Sequence, residues 1–465
     1  MKKLISLSTI TWLLLQCRST TGDSWMPREL GRFRVAHAGF VEVFDKADGG
    51  KDLYITTFNA ALPFFHDPVF FLSNPGEQLD SVSSWGSSLQ TLGTKASAYW
   101  PNFPVQVRLH CTRHFRAMID RSVALTGYSL SVTAATLQVP ESVLGYEAVV
   151  QTSGFLVPGK SEGKIELYDT SAGQQGQRGP INIASEGGDG HNWSYHWVVW
   201  RDVDNDGLLD ALTARFRVPA FGGDPISQLV WYKNPGTATP APGQDWPWQH
   251  FILVDSTHPN TLHTGGPDVY FEEQVFSVDG VEYSALLTGE LWTERIVIYY
   301  VENTPGAWAQ PRNIKSIVVD EAPGQPFEAH WADLNNDGVL EILASCYDTR
   351  KGNETGNLWV YQQQGETWTR SALATGFTAN SYLFGNSMTP GKSRLFWPSE
   401  EYKATPTEFG PVPKPWLALS GDDDGVHYIL FPKSEDPANM EYDMQVNVNT
   451  HYLTARGIYT VLFYR

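Results

Sequence analysis

Acidic side chains recur at every second position in the stretch 202–210, which reads DVDNDGLLD. The acidic residues are Asp202, Asp204, Asp206 and Asp210. Calcium takes about six to eight oxygen ligands, and carboxylates spaced in this way around a glycine turn can supply them. The pattern therefore predicts a structural calcium site. In the alternative interpretation, the same side chains only cap the turn through hydrogen bonds to its backbone.

A related stretch at 333–341 reads DLNNDGVLE and keeps the spacing of the oxygen-bearing side chains. Its candidate ligands are Asp333, Asn335, Asp337 and Glu341. The pattern predicts a second calcium site of the same kind. A variant at 45–52 and a shortened relative at 279–280 keep only part of the pattern, and for them capping of the turn is the better interpretation.

These loops sit between short apolar runs that recur along the chain. An aromatic-rich run that ends at a turn appears six times, with turn markers at Asn74, Ser171, Asn234, Asn303, Gln364 and Pro432. The markers lie 97, 63, 69, 61 and 68 residues apart. A period near 65 residues with several strands per unit is typical of a β-propeller. We therefore expect an all-β fold, a single propeller domain over 23–465, with seven blades of which the last is incomplete. Blades should begin near residues 37, 196, 274 and 330.

The first interval is longer than the others, and the excess maps to 105–138. This segment holds Cys111 and four arginines and has little of the Gly, Pro and Trp of its surroundings. Removing it restores the period. We interpret 105–138 as an insertion or an artefact of the gene sequence such as a retained intron, and a long insertion loop is the alternative.

The acidic loops resemble the FG-GAP/VCBS repeats of calcium-loop propellers, over most of the chain after residue 30. Three further stretches resemble a set of secreted, mostly fungal, propeller proteins: YEAVVQTSGFLVPGKSEGKIELYDTS, PFEAHWADLNNDGVLEILAS and KPWLALSGDDDGVHYILFP. That set includes the L-rhamnose-α-1,4-D-glucuronate lyase family with its rhamnohydrolase relatives, and the propeller part of aldos-2-ulose dehydratase. The dehydratase carries further C-terminal domains for which this chain has no room, so the resemblance favours the lyase.

In such a fold the acidic loops occupy one end of the blades, and the loops that carry cationic and aromatic residues occupy the other. We expect proton transfer from His66, His196 or His263. We expect substrate contacts from His37, His191, Arg215, Arg295, Trp193, Trp292 and His330. Aromatic faces stack on sugars, and the Arg fork matches a carboxylate, so these residues indicate an anionic carbohydrate. For any single histidine or arginine, a hydrogen-bonded strand residue or a solvated loop charge is the alternative.

The chemistry implied by the resemblance is β-elimination at a uronate, which needs a base, a donor for the leaving oxygen and a group that neutralises the carboxylate. Hydrolysis by paired carboxyl groups is an alternative, with Asp189 and Asp224 or Glu290 and Glu294 as candidates. A rhamnohydrolase acting on the same linkage is therefore one competing function. A propeller that only binds a glycan or a protein is the other, since fold does not fix function.

The composition limits the partners. With 51 acidic and 33 basic residues the net charge is −18, which argues against nucleic acid and anionic membranes. Residues 1–22 carry two lysines and a short apolar run, as a secretory signal does, so we expect an extracellular monomer without membrane insertion. Only Cys111 and Cys346 follow that segment, too few for a disulfide framework. The expected partner is an acidic plant-type polysaccharide or oligosaccharide.

Overall fold

The computed structural model describes residues 9–12, 31–34, 38–46, 50–57, 67–75, 82, 84–95, 99–101, 138–154, 163–171, 179–184, 193–218, 224–256, 265–278, 281–348, 355–364, 367–377, 390–420 and 426–449. These residues form an all-β fold, as the sequence predicted, with six antiparallel sheets that follow one another along the chain. We number the sheets I to VI.

A separate pair precedes sheet I and consists of β1 (Thr9–Trp12) and β2 (Gly31–Arg34). Sheet I contains β3 (Ala38–Asp45), β4 (Lys51–Thr57), β5 (Asp67–Ser73) and β6 (Gln90–Lys95). Sheet II contains β7 (Tyr99–Pro101), β8 (Gln138–Val139), β9 (Ala148–Ser153), β10 (Ile165–Asp169) and β11 (Ile181–Asn182). Sheet III contains β12 (Ser194–Arg201), β13 (Asp210–Arg217), β14 (Ile226–Lys233) and β15 (Gln249–Asp255).

Sheet IV contains β16 (Phe271–Val278), β17 (Val281–Glu290), β18 (Arg295–Glu302) and β19 (Lys315–Asp320). Sheet V contains β20 (Gln325–Ala332), β21 (Glu341–Asp348), β22 (Thr355–Gln364) and β23 (Thr367–Phe377). Sheet VI contains β24 (Ser393–Phe396), β25 (Trp416–Leu419), β26 (Val426–Pro432) and β27 (Tyr442–Asn449).

Helices are few and short among the described residues. They are α1 (Trp85–Ser88), α2 (Glu141–Leu144) and α3 (Glu400–Lys403), with 3-10 turns at Ala307–Ala309 and Pro311–Asn313. No helix in the described ranges is long and apolar enough to cross a membrane.

The strand repeat matches the turn markers read from the sequence. All six markers lie at the end of the third strand of a sheet or within two residues after it, if β7 and β8 are counted together as the first strand of sheet II. The first strands of sheets I, III, IV and V begin at residues 38, 194, 271 and 325, each within five residues of the expected position. The sheets are therefore successive copies of one unit, and in each the strands pair in sequence order.

Neighbouring sheets pack face to face in the order of the chain. In sheet III, Leu212 and Ala214 belong to an apolar core shared with sheet IV, whereas Ala211 belongs to a core shared with sheet II. Further cores join sheet I to II, sheet IV to V, and sheet V to VI. Because strand side chains alternate between the two faces, a sheet covered on both sides buries nearly every residue of its central strands.

The first strand of sheet II is divided into two pieces. Both β7 and β8 pair with β9, Pro101 opposite Gln151 and Gln138 opposite Val149. Pro101 and Gln138 are 37 positions apart in sequence, but their partners on β9 are only two positions apart. The chain between them therefore contains 35 residues more than a continuous strand would need. Residues 102–137 lie outside the described residues. Gln138, which the sequence placed inside the insertion, belongs to the sheet, because its neighbour Val139 fills the core.

Deleting 103–137 should therefore preserve the fold. One residue, Asn102, would remain to face Val150, and β7 and β8 would join in register. We expect the melting temperature, followed by circular dichroism, to stay the same or rise, because a shorter loop costs less closure entropy.

The matched control deletes one residue more, 102–137. This shifts β8 by one position against β9 and turns Val139 away from its core. Its melting temperature should fall by a few degrees. If the 103–137 deletion destroyed the fold, the segment would be an integral part of sheet II.

Candidate functional site

Some predicted site residues lie outside the described part of the chain. These are His37, His66, His191 and His263. The structure does place His196, Arg215, Arg295, Trp193, Trp292 and His330, together with both acidic loops.

A group of ionisable side chains meets where the first strands of sheets IV, V and VI begin. We call it the inner-strand cluster, and it consists of Tyr270, Glu272, Glu328, His330, Lys392 and Arg394. Glu328 is its centre: Arg394 Nη1 lies 2.7 Å from Oε1, and His330 Nδ1 lies 3.6 Å from Oε2. Lys392 Nζ lies 3.9 Å from Oε1. The cluster therefore gathers two cations and an imidazole around one buried carboxylate.

The local backbone explains how these side chains meet. Glu328 and His330 lie two residues apart in β20, so both point to the same side of the strand. A register shift between Pro326 and Glu328 precedes them. The amide of Ser393 donates to Glu328 Oε2 over 3.1 Å and ties the start of β24 to β20. Three segments far apart in sequence thus converge through strand ends.

The charges of the cluster are coupled. Burial alone would raise the pKa of Glu328, but Arg394, His330 and Lys392 outweigh it and hold that pKa well below its usual range. Burial raises the pKa of the neighbouring Glu272, which accepts the amide of Trp331 over 2.6 Å. Glu328 is therefore a fixed anion.

The cations of the cluster are not fully enclosed. The side chain of Arg394 is 22% exposed, against 1% for Glu328. A guanidinium that is anchored on one side and open to solvent on the other is suited to hold a second carboxylate. Of the cluster, only His330 was a candidate from the sequence; the other five carry no motif, and only their convergence in the fold distinguishes them.

A pair of buried carboxyl groups lies at the interface of sheets III and IV. Glu290 accepts hydrogen bonds from Arg295 Nη2 over 2.7 Å and from the Tyr299 hydroxyl over 2.5 Å. Asp268 accepts the amide of Trp292 over 3.0 Å. Burial, reinforced by the charge of Glu290, raises the pKa of Asp268 to about 8. One carboxyl group of the pair thus favours its protonated form at neutral pH.

The sequence anticipated this pair only in part. Glu290 had been paired with Glu294 as a candidate for hydrolysis, whereas in the structure its strong partners are Arg295 and Tyr299. Glu294 lies in the turn that follows β17, with φ of 54°. Asp268 was not a candidate, because a lone aspartate before a strand carries no sequence signal.

His196 is enclosed between sheets III and IV. It lies at the register shift between Tyr195 and Trp197, and its ring stacks on Phe216 with centroids 5.0 Å apart. Burial lowers its pKa to about 3, although a hydrogen bond to the backbone of Asp268 acts in the opposite direction. The imidazole is therefore neutral at physiological pH, and this environment suits packing better than proton transfer.

Arg215 lies on the other face of sheet III. Its Nε donates to Gln228 over 2.8 Å, and its guanidinium stacks 4.1 Å from the ring centroid of Trp193. Arg215 and Trp193 are each only 2% exposed. The structure therefore does not bring Arg215 and Arg295 to one opening: Arg215 points toward sheet II, and Arg295 lies between sheets III and IV. Sequence could not separate the two faces, because the register of β13 decides them.

The loop at 202–210 brings three carboxylates together. Oxygen atoms of Asp202, Asp204 and Asp210 lie within 4.8 Å of one another. Asp206 points to a different partner, with its Oδ2 2.7 Å from Lys233 Nζ. Asp204 Oδ1 is buried and has no hydrogen-bond partner among the described residues. The donor set therefore fits a hard cation, with Asp206 at its margin.

The loop at 333–341 has the same backbone shape. Glycines at 207 and 338 have φ of 89° and 84°, values that a side chain rarely adopts. In both loops the carboxylate of the last residue accepts a hydrogen bond from the backbone amide of the loop's second residue. Val203 donates to Asp210, and Leu334 donates to Glu341. In the second loop, Asn335 Nδ2 donates to Asp337 Oδ2, and Asp333 accepts the amide of Gly338. Burial raises the pKa of Glu341 to about 7.

A scan against protein-family models finds no match for this chain, and a search of curated proteins finds no match either.

Asp268→Asn should flatten the dependence of stability on pH. The carboxyl has a folded pKa of about 8, whereas an unfolded aspartate has a pKa of about 3.9. Between these values the folded state holds a proton that the unfolded state has lost, so stability falls as the pH rises. Asparagine still accepts the Trp292 amide but cannot ionise. The loss in unfolding free energy from pH 5 to pH 8.5, measured with urea, should shrink by on the order of 4 kcal/mol, because about three pH units separate pH 5 from the folded pKa.

The control for this measurement is Asp245→Asn, at an exposed position in a turn, which should leave the pH dependence unchanged. An unaltered pH dependence in Asp268→Asn would show that Asp268 ionises like an ordinary surface carboxyl.

Proposed function

We propose that the six sheets are blades of a β-propeller, in a seven-bladed ring whose last blade is incomplete, and that 23–465 is one domain. Four-stranded antiparallel sheets packed face to face in chain order are the support for this proposal. In a propeller the first strand of each blade lines the central channel. The inner-strand cluster would then face that channel.

We further propose that the chain is a carbohydrate-active lyase that cleaves a uronate-containing glycan of the rhamnosyl-glucuronate type by β-elimination. The observation that carries this proposal is the convergence of Lys392, Arg394 and His330 on Glu328. A uronate brings a carboxylate, which makes its C5 proton acidic only when its charge is neutralised. The cluster places cations beside a titratable base, which is the combination that elimination needs.

Each side chain then has a separate role. Arg394 is the most exposed cation of the cluster and would hold the substrate carboxylate. His330 would take the C5 proton and pass it to the leaving oxygen as the C4–O4 bond breaks, so that one imidazole acts first as base and then as acid. Glu328 orients both and acts as a positioning residue. His196 stacks on Phe216 and is not part of the inner-strand cluster, so we assign proton transfer to His330, with His66 and His263 as the remaining candidates.

Hydrolysis is the second candidate function, and the carboxyl pair favours it. Asp268 has a pKa raised to about 8, and Glu290 lies near enough to contribute to that shift. Two carboxyl groups with separated pKa values can act as general acid and base or nucleophile in glycoside hydrolysis. Elimination at the inner-strand cluster is preferred because that cluster also supplies two cations for a substrate carboxylate. A propeller that only binds its glycan is the third possibility.

We propose calcium as a structural cofactor. Asp202, Asp204 and Asp210 would hold it in the first loop. In the second loop the ligands would be Asp333, Asn335, Asp337 and Glu341. The ion would cross-link the hairpin between the first two strands of a blade, at the end of the sheet opposite the inner-strand cluster. It would take no part in the elimination.

The setting proposed for this activity is extracellular. It rests on the apolar run within residues 1–22 and on the net charge of −18. The proposed partner is an acidic plant-type glycan, bound by a monomer.

His330→Ala should lower turnover by about 10²–10⁴-fold, the usual contribution of a general acid or base. The assay follows the ultraviolet absorbance of the unsaturated uronate released from a gum-type arabinogalactan. His250→Ala, at an exposed position on β15, is the control and should keep full turnover. Free rhamnose without absorbance would assign hydrolysis instead, and binding without any product would assign a recognition module.

Arg394→Lys should lower kcat/KM by at least about tenfold, because a point charge cannot replace the planar fork that grips a carboxylate. Arg370→Lys provides the control: Arg370 pairs with Asp320 over 2.7 Å and stacks on Trp359, away from the cluster. An Arg394→Lys protein with unchanged kcat/KM would remove Arg394 from the site.

A further inference from the structure

The loop at 202–210 already contains a cation that belongs to the protein. Lys233, the last residue of β14, contacts Asp204 Oδ2, and its Nζ lies 2.7 Å from Asp206 Oδ2. These contacts place the ammonium group of Lys233 directly against both carboxylates. The ammonium offsets part of the charge of the loop without any bound ion.

The loop is also closed by its own backbone. Asp202 accepts the amides of Asp206 and Gly207, over 3.0 and 2.9 Å. Asp210 accepts the amides of Val203 and Asn234, over 3.1 and 2.7 Å. These hydrogen bonds hold the shape of the turn without a metal.

Asp204 is the carboxylate that Lys233 contacts and that a bound metal would also contact. Its Oδ2 faces Lys233, whereas its Oδ1 is buried and has no hydrogen-bond partner among the described residues. A divalent cation bound by Asp202, Asp204 and Asp210 would therefore share one carboxylate with the ammonium. Two positive charges on one carboxylate are about 4–5 Å apart, a distance at which salt screens them only weakly.

The second loop has its cation in a different place, since the charge of Lys414 acts on Glu341 at the end of the loop. It has the same spacing and the same glycine conformation, but among the described residues no lysine or arginine forms an ion pair with Asp333 or Asp337. The two loops thus differ in charge compensation and agree in shape.

We propose that Lys233 is a built-in counter-ion that keeps the 202–210 hairpin folded without metal and weakens its affinity for calcium. The second half of this inference rests on the proposed calcium site. The first half does not, because it concerns the loop without metal. In this view the loop binds calcium only when the ion displaces or repels the ammonium.

The test titrates calcium chloride into chelator-treated protein by calorimetry, for the wild type and for Lys233→Met. Methionine keeps an unbranched side chain of about the same length as lysine and removes its charge. The variant should bind calcium at least about tenfold more tightly in one site, because the repulsion is gone. Without calcium its melting temperature should be lower than that of the wild type, and added calcium should restore it.

Lys433→Met is the matched control. Lys433 also follows the third strand of a sheet and pairs with two carboxylates, Glu441 over 3.3 Å and Asp443 over 3.7 Å, but on an exposed surface. This variant should bind calcium as the wild type does. If Lys233→Met does not fold without calcium, Lys233→Gln, which keeps a hydrogen-bond donor, replaces it.

The outcomes separate the two proposals. Equal calcium affinity in the wild type and in Lys233→Met would overturn the counter-ion role and leave the calcium site standing. Absence of binding in every variant would overturn the calcium site and the competition together. A melting temperature of the wild type that falls with chelator as far as that of Lys233→Met would show that Lys233 does not replace the metal.

Discussion

Face-to-face packing of consecutive sheets is the constraint on which the rest of the structure depends. Sheets II to V are each covered on both faces, so strands such as β9 and β21 are buried along their whole length. Such strands still carry polar residues: Gln151, Thr152 and Ser153 of β9 are all buried, as are Glu328 and His330 within β20. Polar chemistry therefore occurs inside the sheets as well as at the strand ends.

Some of the buried charges have a close charged partner. Glu290 is paired with Arg295 and also accepts a hydrogen bond from Tyr299. Removing one member of such a pair leaves an uncompensated charge, which typically costs about 3–5 kcal/mol. A loss of activity on mutating these groups would therefore report the fold as much as the chemistry. The inner-strand cluster differs from such pairs because an arginine, a lysine and a histidine all converge on one carboxylate, that of Glu328.

The repeat could be predicted from sequence because it is local. Turn residues such as Asn234 and Asn303 follow their strands directly, and the acidic hairpins join adjacent strands. The site could not be predicted in the same way. Lys392 and Arg394 lie more than sixty residues beyond Glu328, and nothing in the sequence specifies that β20 and β24 begin side by side. Arg215 and Arg295 have different surroundings because they lie on different faces of their sheets. The face that each occupies is determined by the register of its strand.

The two acidic loops show where a motif stops being informative. Their backbones agree residue for residue, from the glycine with positive φ to the final carboxylate that accepts an amide. Those hydrogen bonds account for the spacing of the acidic residues without reference to any ligand. What distinguishes the loops is a residue outside the motif, Lys233, delivered by the next strand of the sheet. The motif thus determines the shape of the turn, whereas the tertiary neighbour determines the charge that a cation would meet there.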